Sequence, residues 1–329
     1  MTPLSAVLAE FVLPKPLPTR FEAHLHASPV SSPAARFLRE LARARQAVAD
    51  ALGSPAPAPQ IDALDAYVPL LALLRGVEQA PSGLLDGATL PRFQWTSALG
   101  SAGDVLSGGS DFELALALLA RALAHANLAA VTVAGATAAD AGTAANEAAK
   151  ALRNAAGSLE LARDFVGAAG GPAIVAPASA PELSPRLLEA LGQLCVALAG
   201  ECAATKGEHA GTGAKPLAML RQDTRSRAAV AAASLSNVGA LRAGLVQYAR
   251  LVAAHAWLAQ LESLGATAHA EAHHADALGY AAAAVRASAA LPNLEAALAG
   301  RTAAPSLSAR GVRRALELRA LLELSLIHI

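Results

Sequence analysis

Residues 93–130 read FQWTSALGSAGDVLSGGSDFELALALLARALAHANLAA. The segment opens with two aromatics two positions apart, Phe93 and Trp95, and closes in an almost unbroken Ala/Leu run. Aromatics make up only 3% of 329 residues, with two Trp and six Phe, so their position just ahead of that run is informative. Ala is the strongest helix former. In a core of small Ala side chains, Phe and Trp supply the large apolar area that locks helices together. Phe93, Trp95 and Phe112 are therefore expected in the structural core rather than on a base-stacking platform, for which a surrounding basic patch is missing. Ser110–Asp111–Phe112–Glu113 fits a capping box, with Ser110 as N-cap and Glu113 reaching back, and opens a helix to about Ala134. Glu113, Arg121 and His125 interrupt the apolar run, whereas a spanning helix wants about 20 nearly uncharged residues. It reads as a core helix, and no transmembrane segment is expected.

Outward from this segment the composition points the same way. The hydrophobic fraction is 54%, inflated by Ala, and strand-type residues are few, so the chain reads as all-α. Lys+Arg and Asp+Glu both number 26, which leaves no electrostatic footprint for nucleic acid or an anionic membrane. The two cysteines, Cys195 and Cys202, lie seven apart on one helix face and show neither CxxC spacing nor a paired framework. Buried free thiols in a reducing, intracellular setting fit this. No basic and apolar leader marks the N-terminus as a secretory signal.

The first 31 residues form a separate, extended segment. In FEAHLHA (21–27) the apolar residues alternate with Glu22, His24 and His26, a strand pattern that predicts a small N-terminal β element. Ser32 and Pro33 then start a helix to about Leu52. A second helix, IDALDAYVPLLALLRGVEQ, contains Pro69 and is expected to kink or break there. Beyond Ala134, helices are expected over roughly 138–169, ending at GAAGGP, and from Ser184–Pro185 to about Lys206. A very long one is expected from Pro216 to about Leu264, then others near 267–290 and 305–323. Long helices joined by short loops predict a solenoid of antiparallel pairs over 32–323, which together with the extended first 31 residues makes a single domain, 1–323. The last six residues, LSLIHI (324–329), leave this composition and resemble a translated adapter, so they read as a non-native tail on a truncated frame.

Catalytic motifs are scarce. GEHAGTGAK (207–215) lacks the glycine–lysine spacing of a phosphate loop, and no GxSxG elbow is present. In HAEAHHAD (269–276), His269 and His273 stand four apart, a spacing able to bind zinc, but HExxH is not formed and a solvated polar face is the preferred reading. Asp62 and Asp65 near a helix start suit its dipole. Neither an enzyme, a metal site nor a cofactor is expected.

The quoted segment resembles the signature of the Bro-one (BRO) domain family, the Alix- and BROX-like modules. The residues that carry the resemblance are Phe93, Trp95, Phe112, Glu113 and Asn127. Downstream, EAAKALRNAAGSLELARDFV (147–166) resembles the family helix with its Ala155–Ala156–Gly157 segment. LSPRLLEALGQLCVALAGECAATKG (183–207) is similar to the next, with Leu198 where relatives carry Ala, then Glu201 and Lys206. LDAYVPLLALL (64–74) resembles the short single-domain plant-type members.

The resemblance implies a curved, banana-shaped stack of TPR-like helix pairs. It also implies a cytoplasmic adaptor, peripheral on endosomes, that binds the C-terminal amphipathic helix of an ESCRT-III filament subunit. The groove positions it implies are Ala203, Pro216 and Leu220, with Leu217 adjacent and Lys206 steering acidic residues of the partner. Relatives place a large aromatic where this chain has Ala203, and a β-branched residue where it has Pro216. The alternative is a helical scaffold for another protein partner, or for self-association, with that groove eroded.

Overall fold

A computed structural model describes residues 8–19, 33–79, 92–100, 105–167, 181–239, 241 and 243–289. FEAHLHA, the Ser32 cap, most of GAAGGP, the 305–323 helix and the tail lie outside the described residues. The elements are α1 (Pro33–Gly53), α2 (Pro57–Gln79), β1 (Phe93–Thr96), β2 (Val105–Gly108), α3 (Ser110–Ala134) and α4 (Ala141–Gly167). A 3₁₀ turn (Pro181–Leu183) leads to α5 (Pro185–His209), α6 (Ala214–Ser236), α7 (Ala243–Ala270) and α8 (His274–Ala289). Each helix packs chiefly on the one before and the one after it. That nearest-neighbour order is the mark of a helical stack.

The centre of the stack is α3, whose Ala and Leu residues are buried on nearly every side. A helix that is apolar all round belongs in a core. By length and composition α3 and α5 are apolar enough to cross a bilayer, but most of each is buried against other helices.

The strands correct the expectation of a β element confined to the N-terminus. They form an antiparallel hairpin, Trp95 opposite Leu106, directly ahead of α3. Phe93 and Trp95 alternate inward there with Gln94 outward, so burying both aromatics is what makes the segment extended. The N-terminal segment runs beside β1: Leu17 N–H donates to Gln94 O and Thr96 N–H to Lys15 O, both at 2.8 Å. Further up, Asn127 of α3 clamps Phe11 by its backbone, and Ala9 N–H donates to the Tyr248 hydroxyl of α7. The chain passes from β2 into α3 through Gly108, where a Cβ would sit 2.5 Å from Phe112, so only glycine fits.

Four further expectations change. Helix α2 passes through Pro69 without interruption. Ser110 is not a cap: Gly109 holds the N-cap position with no side-chain bond, and Glu113 turns inward instead. The expected helix from Pro216 to Leu264 is two helices, because the Ser-Asn-Val-Gly stretch at 236–239 is poor in helix formers and lets α7 fold back along α6. HAEAHHAD likewise breaks: α7 ends at Ala270, Ala272 takes φ 62°, and His269 and His273 do not share a helix.

Candidate partner-binding groove

Two buried polar networks tie the stack together, and the second includes helices that frame the groove. In the first, Glu113 is fully buried and accepts from Arg45 Nε at 2.8 Å, Tyr67 Oη at 2.7 Å and Trp95 Nε1 at 2.5 Å. Arg45 also donates to the carbonyls of Leu17 and Gln94, so one carboxylate ties α1, α2, β1 and α3 to the N-terminal segment. Burial raises the Glu113 carboxyl, against the lowering effect of Arg45, and raises the Tyr67 hydroxyl well above its ordinary range. Nearby, Glu182 Oε1 accepts from Ser97 Oγ and from the amides of Ala98 and Leu99, at 2.5, 2.9 and 3.0 Å, joining the hairpin to the start of α5.

The second network joins α5, α6 and α7. Glu201 lies 3.2 Å from His255 Nε2 and 3.9 Å from Arg221, all three buried. Arg221 also pairs with Glu208 and donates to Ser263 Oγ at 2.8 Å. Burial alone would raise the Glu201 carboxyl, but the His255 pair and Arg221 bring it below its ordinary value. Burial pushes the Cys195 thiol up to about 12 and Cys202 higher still, and both are free and buried.

On the opposite side of α5 lies an open groove between α4 and α6. Ala203, Lys206 and Leu220 converge on one concavity of about 470 Å³, whose walls include Ala149 and Arg153 of α4. Lys206 Nζ crosses it to donate to Asn146 Oδ1 at 2.9 Å. Ala203 is half-buried, and Lys206 and Pro216 are exposed. Leu217 and Leu220 part company: Leu220 is 39% exposed, whereas Leu217 is only 6% exposed and does not line the groove. Gly207 explains this, since a Cβ there would meet Leu217 Cδ2 at 3.0 Å; the bare backbone lets α6 come close and draws Leu217 inward. Leu217 is therefore a core residue and cannot serve as an exposed anchor. Pro216, in the first turn of α6, does not line the concavity either. Met219, 72% exposed beside Leu220, is an apolar surface residue that the sequence reading did not single out.

Arg153 and Asn146 were also missed. The signal for them would have been their i, i+7 relation on α4, but nothing in one sequence says that this face opposes Lys206. Among the described residues no group of three or more His, Cys, Asp and Glu is placed to hold a metal ion.

No family model and no curated protein matches the chain. Solved structures do. The chain is similar to ALIX in complex with the SIVmac239 PYKEVTEDL late domain, at a TM-score of 0.70 and 14% identity, over 97% of this chain and 44% of that one. It thus spans under half the length of that protein. It is also similar to the ALIX BRO1 domain in its CHMP4C complex, at a TM-score of 0.67 and 14% identity, over 98% of this chain and 86% of that one. A Bro1 domain solved as a basis for endosomal targeting matches at a TM-score of 0.67 and 15% identity, covering 98% and 84%. Identities this low speak for architecture alone, and with the helical order and the central α3 they show that this chain has the Bro1-domain fold.

Proposed function

We propose that this protein is a non-enzymatic adaptor whose α4–α5–α6 groove holds an amphipathic helix of an ESCRT-III filament subunit, at the cytoplasmic face of endosomes. The observation that carries the reading is the open concavity where Ala203, Lys206 and Leu220 meet, within a Bro1 fold. One structural neighbour is a BRO1 domain in complex with CHMP4C, which makes a helix of that kind the first ligand to try. Recognition would be helix-in-groove, with apolar side chains at i, i+3, i+4 and i+7 lying over Ala149, Ala203 and Leu220. Without an aromatic at position 203, affinity is expected to be micromolar or weaker, about −8 kcal/mol or less favourable. Titrating C-terminal helix peptides of ESCRT-III subunits against the whole chain and against Leu220→Asp tests this. Binding by the wild type and loss in the variant supports it, and no binding by either sinks it.

A second reading, a scaffold for another protein or for self-association, is favoured by the burial of Leu217 and by the small residue at 203. A concentration-dependent rise in mass in solution, with no peptide bound, would select it.

A further inference from the structure

The turn between α7 and α8 has a defined hydrogen-bond pattern. His273 N–H donates to Ala268 O at 2.8 Å and Ala272 N–H to His269 O at 3.1 Å, while Ala272 takes φ 62°. Two such bonds around a left-handed residue make a Schellman helix end, where glycine is the usual occupant. A left-handed alanine is uncommon, because its Cβ crowds the following carbonyl. The chain reverses there at once: Ala277 N–H donates to His273 O at 3.0 Å, and α8 begins at His274.

The reversal selects a histidine pair that the four-residue spacing does not. His269, in the last turn of α7, and His274, the first residue of α8, stand with ring centres 5.4 Å apart and ring planes inclined at 57°. Both side chains belong to exposed residues. His273 goes instead with Glu271, its Nδ1 3.8 Å from Oε2. Glu271 is in turn engaged by Lys215 of α6 at 3.1 Å.

We propose that His269 and His274 form a two-imidazole site for a divalent first-row transition ion, copper(II) in particular, separate from the groove. With metal–nitrogen bonds of about 2.0–2.1 Å, two imidazoles on one tetrahedral ion set their ring centres roughly 5 Å apart. The observed separation is close to that chelating distance, and the tilt keeps the rings from stacking flat, so small side-chain rotations bring a nitrogen of each onto one ion. Among the described residues no third His, Cys, Asp or Glu joins the pair, which leaves the other coordination positions to water. For so few nitrogen ligands copper(II) is the divalent ion held most tightly. The ion ties the last turn of α7 to the first of α8, and it stabilises the folded chain by binding the arrangement that only the fold provides.

The test titrates the whole chain with copper(II) chloride, followed by calorimetry and electron paramagnetic resonance. All proteins carry His24→Gln and His26→Gln, since that His-Leu-His run is itself an imidazole pair. One equivalent should bind with a spectrum showing nitrogen coupling, and the thermal unfolding midpoint should rise with copper concentration. His269→Ala and His274→Ala should each weaken binding about tenfold or more and abolish the rise in midpoint. His273→Ala should leave affinity within about twofold of its parent. Circular dichroism before copper is added checks that all three variants keep the helix content. The site is overturned if copper binds no better to the parent than to His269→Ala with His274→Ala. It is overturned equally if His273→Ala loses as much affinity as the other two, which would make the segment a flexible histidine run, or if copper binds without raising the midpoint.

Discussion

Trp95 donates its indole N–H to Glu113 Oε2 at 2.5 Å, and both side chains are completely buried. The scarce aromatic is therefore a packing residue and a hydrogen-bond donor at once. Trp95→Ala removes a large buried side chain and should cost about 3–5 kcal/mol. Trp95→Phe keeps most of the ring but leaves one carboxylate oxygen without its donor, at about 1–3 kcal/mol. Urea unfolding of the two variants separates the contributions. An unchanged midpoint for Trp95→Ala would make the residue peripheral.

The helical stack is legible because it rests on local information: Ala-rich composition, Pro and Gly boundaries, and the order of motifs. The role of Glu113 is not. Its local setting, Ser-Asp-Phe-Glu, satisfies a capping pattern, while its actual partners Tyr67 and Arg45 stand 46 and 68 residues away. Only the fold brings them together. The split of Leu217 from Leu220 is illegible for a similar reason. Residues three apart share a helix face, and what separates these two is the close approach of α6 at Gly207. The break at 236–239 was within reach, since Asn and Gly there are weak helix formers.

The cysteines should be chemically silent in the native protein. The thiolate is the reactive species, and burial holds the Cys195 thiol up to about 12, while burial and the adjacent Glu201 hold Cys202 higher. Iodoacetamide at mildly alkaline pH should label neither residue in the folded chain and both in denaturant, counted by intact mass. Prompt labelling of the folded protein would show that α5 opens far more readily than its packing implies.

His125 should make stability fall on the acid side of neutrality. Burial, and then the Arg121 charge, lower its affinity for a proton in the folded chain, and neither ring nitrogen is hydrogen-bonded. The unfolded chain takes up that proton near the ordinary value of about 6.5. Below that pH the unfolded state binds more protons than the folded one, so the unfolding free energy drops as pH falls. His125→Leu removes this contribution. Between about pH 7 and about pH 5 the wild type should lose more stability than the variant. Equal losses would mean that His125 is protonated in place.

Leu217 and Leu220 give the sharpest contrast, because they lie three residues apart and differ in environment. Leu217 is 6% exposed and packs at the bare backbone of Gly207. An Asp there replaces a buried apolar side chain with a group that must be desolvated, so Leu217→Asp should cost at least the about 2–5 kcal/mol of a buried Leu→Ala change. Leu220 is 39% exposed at the groove wall, so Leu220→Asp should leave the unfolding midpoint close to wild type. Its effect should fall on binding, where a carboxylate facing the apolar stripe of a partner helix must be desolvated. Thermal unfolding and peptide titration, run on both variants, give opposite patterns if the groove is used: one protein unstable, the other stable and unable to bind. Were Leu220→Asp to unfold as readily as Leu217→Asp, Leu220 would belong to the core, and the groove would lose its one large apolar wall.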